Sequence, residues 1–252
     1  MASKRRWAGR GGGRSRRARM WLLAVLVALP VAAVTVVAVA FPSVAATTCP
    51  ACYGLERLAP DVYAEPGLTA SQRRQVISVV EEANRRVRDF YGGRKTSPRI
   101  LACLTGGCYR WIGGGGERGI AVLNHAVMLS PGGLDPVIAS HEMSHVELHA
   151  RLDSGGDEVP QWFDEGLAVL VSGDPRYLAP ETAPDRCVVS TEEALPVTLD
   201  AWLRAAGADK RTYAKAACRV SGWVTANGGP HAVPDLIQRL NAGEKFDTIT
   251  KM

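Results

Sequence analysis

The first 55 residues contain no aspartate or glutamate, and the first 48 contain no cysteine. Histidine is scarce, with 5 in 252 residues, and aromatic residues make up only 6% of the chain. Each shortage excludes something. Without acidic partners, the eight cations of the first 19 residues (Lys4, Arg5, Arg6, Arg10, Arg14, Arg16, Arg17 and Arg19) form an unbalanced basic arm. That arm accounts for the formal net charge of +5; the remainder holds 22 basic against 25 acidic residues. A basic globular domain that binds nucleic acid is therefore excluded as the default reading. No long repeat is present. With 46% hydrophobic and 22% charged residues the chain is neither disordered nor fibrous. Its length suits one sizeable core or two small domains.

After the basic arm of residues 1–19 comes an uncharged apolar run from Met20 to Phe41. About 20 apolar residues suffice to span a bilayer as a helix. Cations on its N-terminal side hold that end in the cytoplasm and place the rest of the chain outside. We read residues 20–41 as a single-pass membrane anchor. The alternative is a signal segment cleaved near Val44-Ala45-Ala46, which would make the protein secreted. Both export the remainder. All six cysteines (Cys49, Cys52, Cys103, Cys108, Cys187 and Cys218) lie beyond this run, as expected of disulfides formed in an oxidising compartment. The expected pairs are Cys49–Cys52, Cys103–Cys108 and Cys187–Cys218. A redox role for Cys49-Pro50-Ala51-Cys52 lacks a βαβ context.

Residues 42–68, with Pro42, Pro50, Pro60 and Pro66, read as a linker. A helix is predicted after Thr69, where Val76, Val79, Val80, Ala83, Val87 and Phe90 recur at helical spacing until Gly92-Gly93. Short strands are predicted over 99–104, 120–123 and 126–129, the last as a sheet edge that could pair with an extended peptide. Helices are predicted over 135–152, 160–172, 199–206, 211–227 and 231–241. A few strands followed by a run of helices argue an α+β domain over residues 69–252.

The chemistry concentrates in His141-Glu142-Met143-Ser144-His145. On a helix, residues four apart share a face, so both imidazoles can reach one ion, and Glu142 can act as general base on a water held there. Ile138, His141, His145, Leu148 and Leu152 fall on one helical stripe, the face normally buried. Two buried imidazoles need polar partners, and a shared metal supplies one. The next predicted helix carries Gln161-Trp162-Phe163-Asp164-Glu165-Gly166-Leu167-Ala168, which offers Glu165 as a third ligand. Three protein ligands and a water make a catalytic zinc site, whereas structural sites close with four. His149 lies about 12 Å along the axis from His141, too far to share the ion with it, and is expected to be exposed or to support the ligands. His125 and His231 have no metal spacing. Trp162, Trp202 and Trp223 are expected to pack the core.

These two segments, HEMSH and DEGLA, resemble the gluzincin zinc metallopeptidases, specifically the compact peptidase-MA-like group, over residues 69–250. The resemblance implies a zincin-like fold with one Zn2+ per chain. It implies His141, His145 and Glu165 as ligands and Glu142 as catalytic base, and it favours Glu165 over Asp164, which then orients a ligand. In related gluzincins a tyrosine beyond the third ligand donates a hydrogen bond to the developing oxyanion. Tyr213 looks like its counterpart, with Tyr177 the weaker candidate. Tyr213 also begins an apolar stripe with Ala217, Val220 and Val224, so a core tyrosine is the competing reading. The Gly-Ala-Met-Glu-Asn segment of the aminopeptidase branch is absent. The sequence-level expectation is a membrane-anchored extracytoplasmic zinc peptidase acting on a peptide or protein. The alternative is a non-catalytic exported domain of the same fold, working in binding or envelope assembly.

Overall fold

The computed structural model describes residues 39–153, 159–183, 185–190 and 193–251, with Trp21, Leu26 and Val36 upstream. The basic arm and most of residues 20–41 lie outside the described residues. Among the described residues, no helix is long and apolar enough to cross a membrane.

The elements, in chain order, are α1 (Pro42–Thr48), a 3-10 turn (Pro50–Tyr53), β1 (Glu56–Ala59), β2 (Val62–Ala64), α2 (Ala70–Tyr91) and β3 (Arg99–Ala102). Then come α3 (Gly106–Trp111), β4 (Gly119–Val122), β5 (Ala126–Leu129), a 3-10 turn (Pro131–Gly133), α4 (Pro136–Arg151) and α5 (Gln161–Ser172). Helices α6 (Leu199–Ala208), α7 (Arg211–Ala226), α8 (Ala232–Asn241) and α9 (Phe246–Thr250) complete the chain. The fold is α+β: a small mixed sheet followed by a helical half.

Local chemistry sets the boundaries of the principal helices. Thr69 and Gln72 form a reciprocal capping box at the start of α2, and Gly92 ends that helix in the left-handed conformation at φ 67°. Asp135 accepts a hydrogen bond from the Val137 N–H (2.7 Å) ahead of Pro136, opening α4. Pro160 precedes α5 and Gly173 closes it.

The sheet order is β1-β2-β3-β5-β4; the β2–β3 and β3–β5 pairs are parallel, the outer pairs antiparallel. Strands β3 and β5 are buried on both faces, as expected where alternate side chains enter two cores. Ile100, Ala102, Val127 and Leu129 join the large core shared with α2, α4, α5, α7 and α8. Leu101, Cys103, Ala126 and Met128 join a smaller core closed by Ala46, Leu55, Tyr109 and Ile112. All three expected disulfides are formed, and Trp162, Trp202 and Trp223 are buried.

Two expectations are corrected. Residues 42–68 are not a linker: α1 and the following turn pack on the sheet's second face, Ala46 is fully buried, and β1 and β2 extend the sheet. Pro42 and Pro50 begin helical turns and Pro60 precedes the β1–β2 turn at Asp61, where φ is 57°. Proline here punctuates short elements. The sheet edge is not Ala126–Leu129 but β4: β5 has partners on both sides and all four of its residues are buried, whereas Ile120 of β4 is exposed. An unbroken apolar run marks an interior strand.

Helix α4 is held against the sheet half by Glu147, whose side chain has no solvent exposure. Its carboxylate accepts from the backbone N–H of Lys95 (2.6 Å) and Thr96 (3.2 Å), from Thr96 Oγ1 (2.7 Å), and from Nε of Arg94 (3.1 Å) and Arg151 (2.8 Å). Burial alone would raise the carboxyl's pKa, but these donors, led by the Lys95 amide, outweigh it and lower the pKa. A lowered folded pKa contributes stability above the unfolded value of about 4.3 and loses it as pH falls through the folded pKa. Glu147→Gln should therefore destabilise the fold by about 3–5 kcal/mol at neutral pH. The difference from the unsubstituted chain should shrink below about pH 4 in denaturant titrations.

Candidate metal centre

Because α4 and α5 pack side by side, the buried face of one meets the first turns of the other. Gly166 permits this arrangement to be shared with α7. A Cβ there would stand 2.6 Å from the Ala216 carbonyl oxygen, so only glycine lets α5 and α7 approach so closely. That contact brings α7, with Tyr213, to the same centre.

The structure places His141, His145 and Glu165 together. The two Nε2 atoms are 3.2 Å apart, and Glu165 Oε2 lies 3.4 Å from the first and 3.7 Å from the second. Around a tetrahedral ion held at about 2.0–2.1 Å, ligand atoms stand about 3.3 Å apart. Glu165 Oε1 accepts from Gln161 Nε2 (3.2 Å), while its Oε2 is buried without a hydrogen-bond partner. An orphaned carboxylate oxygen facing two imidazole nitrogens fits a cation. The other clustered set among the described residues, Glu65 with Cys103 and Cys108, has its sulfurs in a disulfide.

Asp164, a buried neighbour of Glu165, fixes the orientation of two imidazoles. His145 Nδ1 donates to its Oδ1 (2.7 Å) and His149 Nε2 to its Oδ2 (2.7 Å). A carboxylate acceptor at Nδ1 leaves the Nε2 lone pair of His145 available for an ion. Burial would raise the Asp164 pKa, yet the charge and hydrogen bond of His145, with those of His149, hold it well below the usual carboxylate range. Burial likewise opposes charging His145, but Asp164, then Glu165 and Glu142, raise the imidazole to about 10. His149 thus supports His145 through Asp164.

Glu142 stands on the sheet side of this centre. Its carboxyl is pushed up by burial, against the charges of His141 and His145, and the Ala121 N–H of β4 donates to it. Gly119 makes room: a Cβ there would come 2.8 Å from Glu142 Cγ. The Tyr213 ring lies 6.4 Å from the His141 ring, stacks on Tyr177 at 5.1 Å and meets Trp202 edge-on at 5.0 Å. Burial, then the negative charge of Glu165, raises the Tyr213 phenol pKa and keeps it protonated. Tyr177 sits behind Tyr213, so the two candidates are not equivalent. His125 and His231 are exposed outside the cluster. Sequence reasoning missed Gly119 and Gly166; a Gly inside an otherwise apolar helical segment was the available signal for the second.

No protein-family model matches the chain, and neither curated proteins nor solved structures show a significant match. The case for the site therefore rests on its geometry.

Zinc titrated into the full chain should bind at one per chain and raise the unfolding temperature. His141→Ala and Glu165→Ala should abolish or severely weaken that binding, and Asp164→Asn should weaken it about 10- to 100-fold. Metal content after dialysis, beside thermal melts, measures both effects.

Proposed function

We propose that the protein is a zinc-dependent peptidase with a zincin-like fold, acting outside the cytoplasm and held to the membrane by residues 20–41. The observation that carries the reading is the unpartnered Glu165 Oε2 set against the paired nitrogens of His141 and His145. Three ligands leave a fourth position for water and substrate, as in catalytic sites.

Zinc bound there would supply a polarised carbonyl and a coordinated water with a pKa near about 7. The protein's own groups divide the remaining work. Glu142, with its raised pKa, takes the proton of the attacking water at its carboxylate and delivers it to the leaving amine. Tyr213, kept protonated, donates a hydrogen bond to the oxygen that gains charge. The exposed edge of β4 lies beside Glu142, where an extended peptide can pair with its backbone.

Two features support export and anchoring. Three disulfides suit an oxidising compartment. Val44, Ala45 and Ala46 belong to α1, whose Ala46 is fully buried, so cleavage there would remove part of a core helix.

Glu142→Gln should eliminate hydrolysis of a quenched-fluorescent peptide pool while leaving zinc content unchanged; retained turnover would refute the base assignment. A zinc-loaded chain that binds these peptides and cleaves none would favour the non-catalytic reading. Tyr213→Phe should lower kcat by about 10²–10³ with little change in KM. An unchanged kcat would return Tyr213 to a packing role.

A further inference from the structure

A second feature adjoins the metal centre and has no part in the chemistry above. A groove of about 740 Å3 opens between the stretch leading into β4 and the first turn of α7. Four of its lining side chains are cations, Arg118, Arg176, Lys210 and Arg211, and among the described residues no carboxylate lines it. Tyr177 and Tyr213 also line it. Tyr213 is shared with the metal centre, since its ring faces His141.

The four charges are not equivalent. Arg176 is fixed on Asp174 through Nε (2.9 and 3.0 Å) and lies over the Tyr177 ring at 5.0 Å. Arg211 pairs with Asp209 at 3.1 Å. Arg118 has its Nε on the Gly132 carbonyl (2.7 Å), and among the described residues neither it nor Lys210 has a carboxylate within ion-pair distance. Arg118 also precedes Gly119, the residue that lets β4 approach Glu142. An extended peptide paired with β4 across Glu142 therefore runs past Arg118 and into the groove.

We propose that this groove receives a carboxylate of the substrate, so that the enzyme selects acidic peptides, with Arg118 and Lys210 as the specificity-determining residues. The inference rests on the peptidase reading and adds the substrate class to it. A guanidinium fork matches a carboxylate geometrically. Two cations without a carboxylate partner among the described residues, beside a cleft, also attract anions over a Debye length. The carboxylate comes either from an aspartate or glutamate side chain or from the C-terminus of the peptide.

Binding to the full chain carrying Glu142→Gln tests this without depending on turnover. The probes are fluorescein-labelled peptides of one neutral sequence. One set is amidated, with a single aspartate or lysine moved along it; another is neutral with a free C-terminal carboxylate; the reference is neutral and amidated. Acidic peptides should bind about three- to tenfold more tightly than the neutral reference, and the margin should shrink as salt rises. Tighter binding of the aspartate set identifies a side-chain site, and tighter binding of the free-acid peptide a terminal one. Adding Arg118→Glu and Lys210→Glu, singly and together, should turn the preference toward the lysine peptides, a reversal that impaired folding cannot produce. Equal binding of acidic and neutral peptides, or a preference untouched by charge reversal, would overturn the proposal. Failure of the unsubstituted zinc-loaded chain to cleave any peptide would instead overturn the peptidase reading, and the binding comparison would still decide the groove.

Discussion

Helix α4 runs through the interior with buried residues on most of its sides, yet it carries His141, Ser144, His145 and Glu147. Each buried polar group must find a partner within the protein or destabilise it. Much of the architecture comes from meeting that requirement. Glu147 draws in the 94–96 segment and Arg151, Ser144 meets the Tyr91 hydroxyl at 3.3 Å, and His145 takes Asp164 from α5. Glu165 Oε2, beside the two Nε2 atoms, is a buried carboxylate oxygen for which the chain supplies no hydrogen-bond partner of its own. What gives that gap its meaning is its neighbours: two imidazole nitrogens stand 3.4 and 3.7 Å away.

What could be read in the sequence is what local chemistry determines. Thr69 and Gly92 bracket α2, Asp135-Pro136 opens α4, and Gly173 closes α5, each through a hydrogen bond or backbone conformation written within a few residues. The HEMSH and DEGLA segments were legible for the same reason: helical spacing alone aligns His141 with His145. Strand order was not legible, since the difference between β4 and β5 lies in which neighbour each meets. The sheet's second face was missed because α1, β1 and β2 are too short to show periodicity. Glu147 looked like any helical glutamate, its role set by residues some fifty positions away.

The groove and the metal centre share a mount. The Arg176 guanidinium lies over the Tyr177 ring, Tyr177 stacks on Tyr213, and the tilted Tyr213 ring faces His141, a chain of contacts from groove to centre. Cys187, adjoining Val188 and Val189 in the groove wall, is bonded to Cys218 on α7, the helix that carries Tyr213. The wall, the tyrosine and the contact of α7 with Gly166 are thus mechanically one piece, which in the proposed peptidase would keep a recognised side chain at a fixed offset from the reacting bond. Charge is distributed to the same end: beyond the basic arm the chain is slightly acidic overall, yet cations gather at this groove.

Helix α1 begins at Pro42, directly after Phe41, and its Ala46 is part of the core. In the anchored form proposed above, no slack chain separates the bilayer from the folded body. The enzyme would move as a float without a tether, its cleft carried at one height and one range of orientations above the lipid. A domain of this size reaches on the order of 40 Å from the surface. Encounters would then be a two-dimensional search among segments displayed within that layer, so proximity to the membrane would select targets before any side chain does.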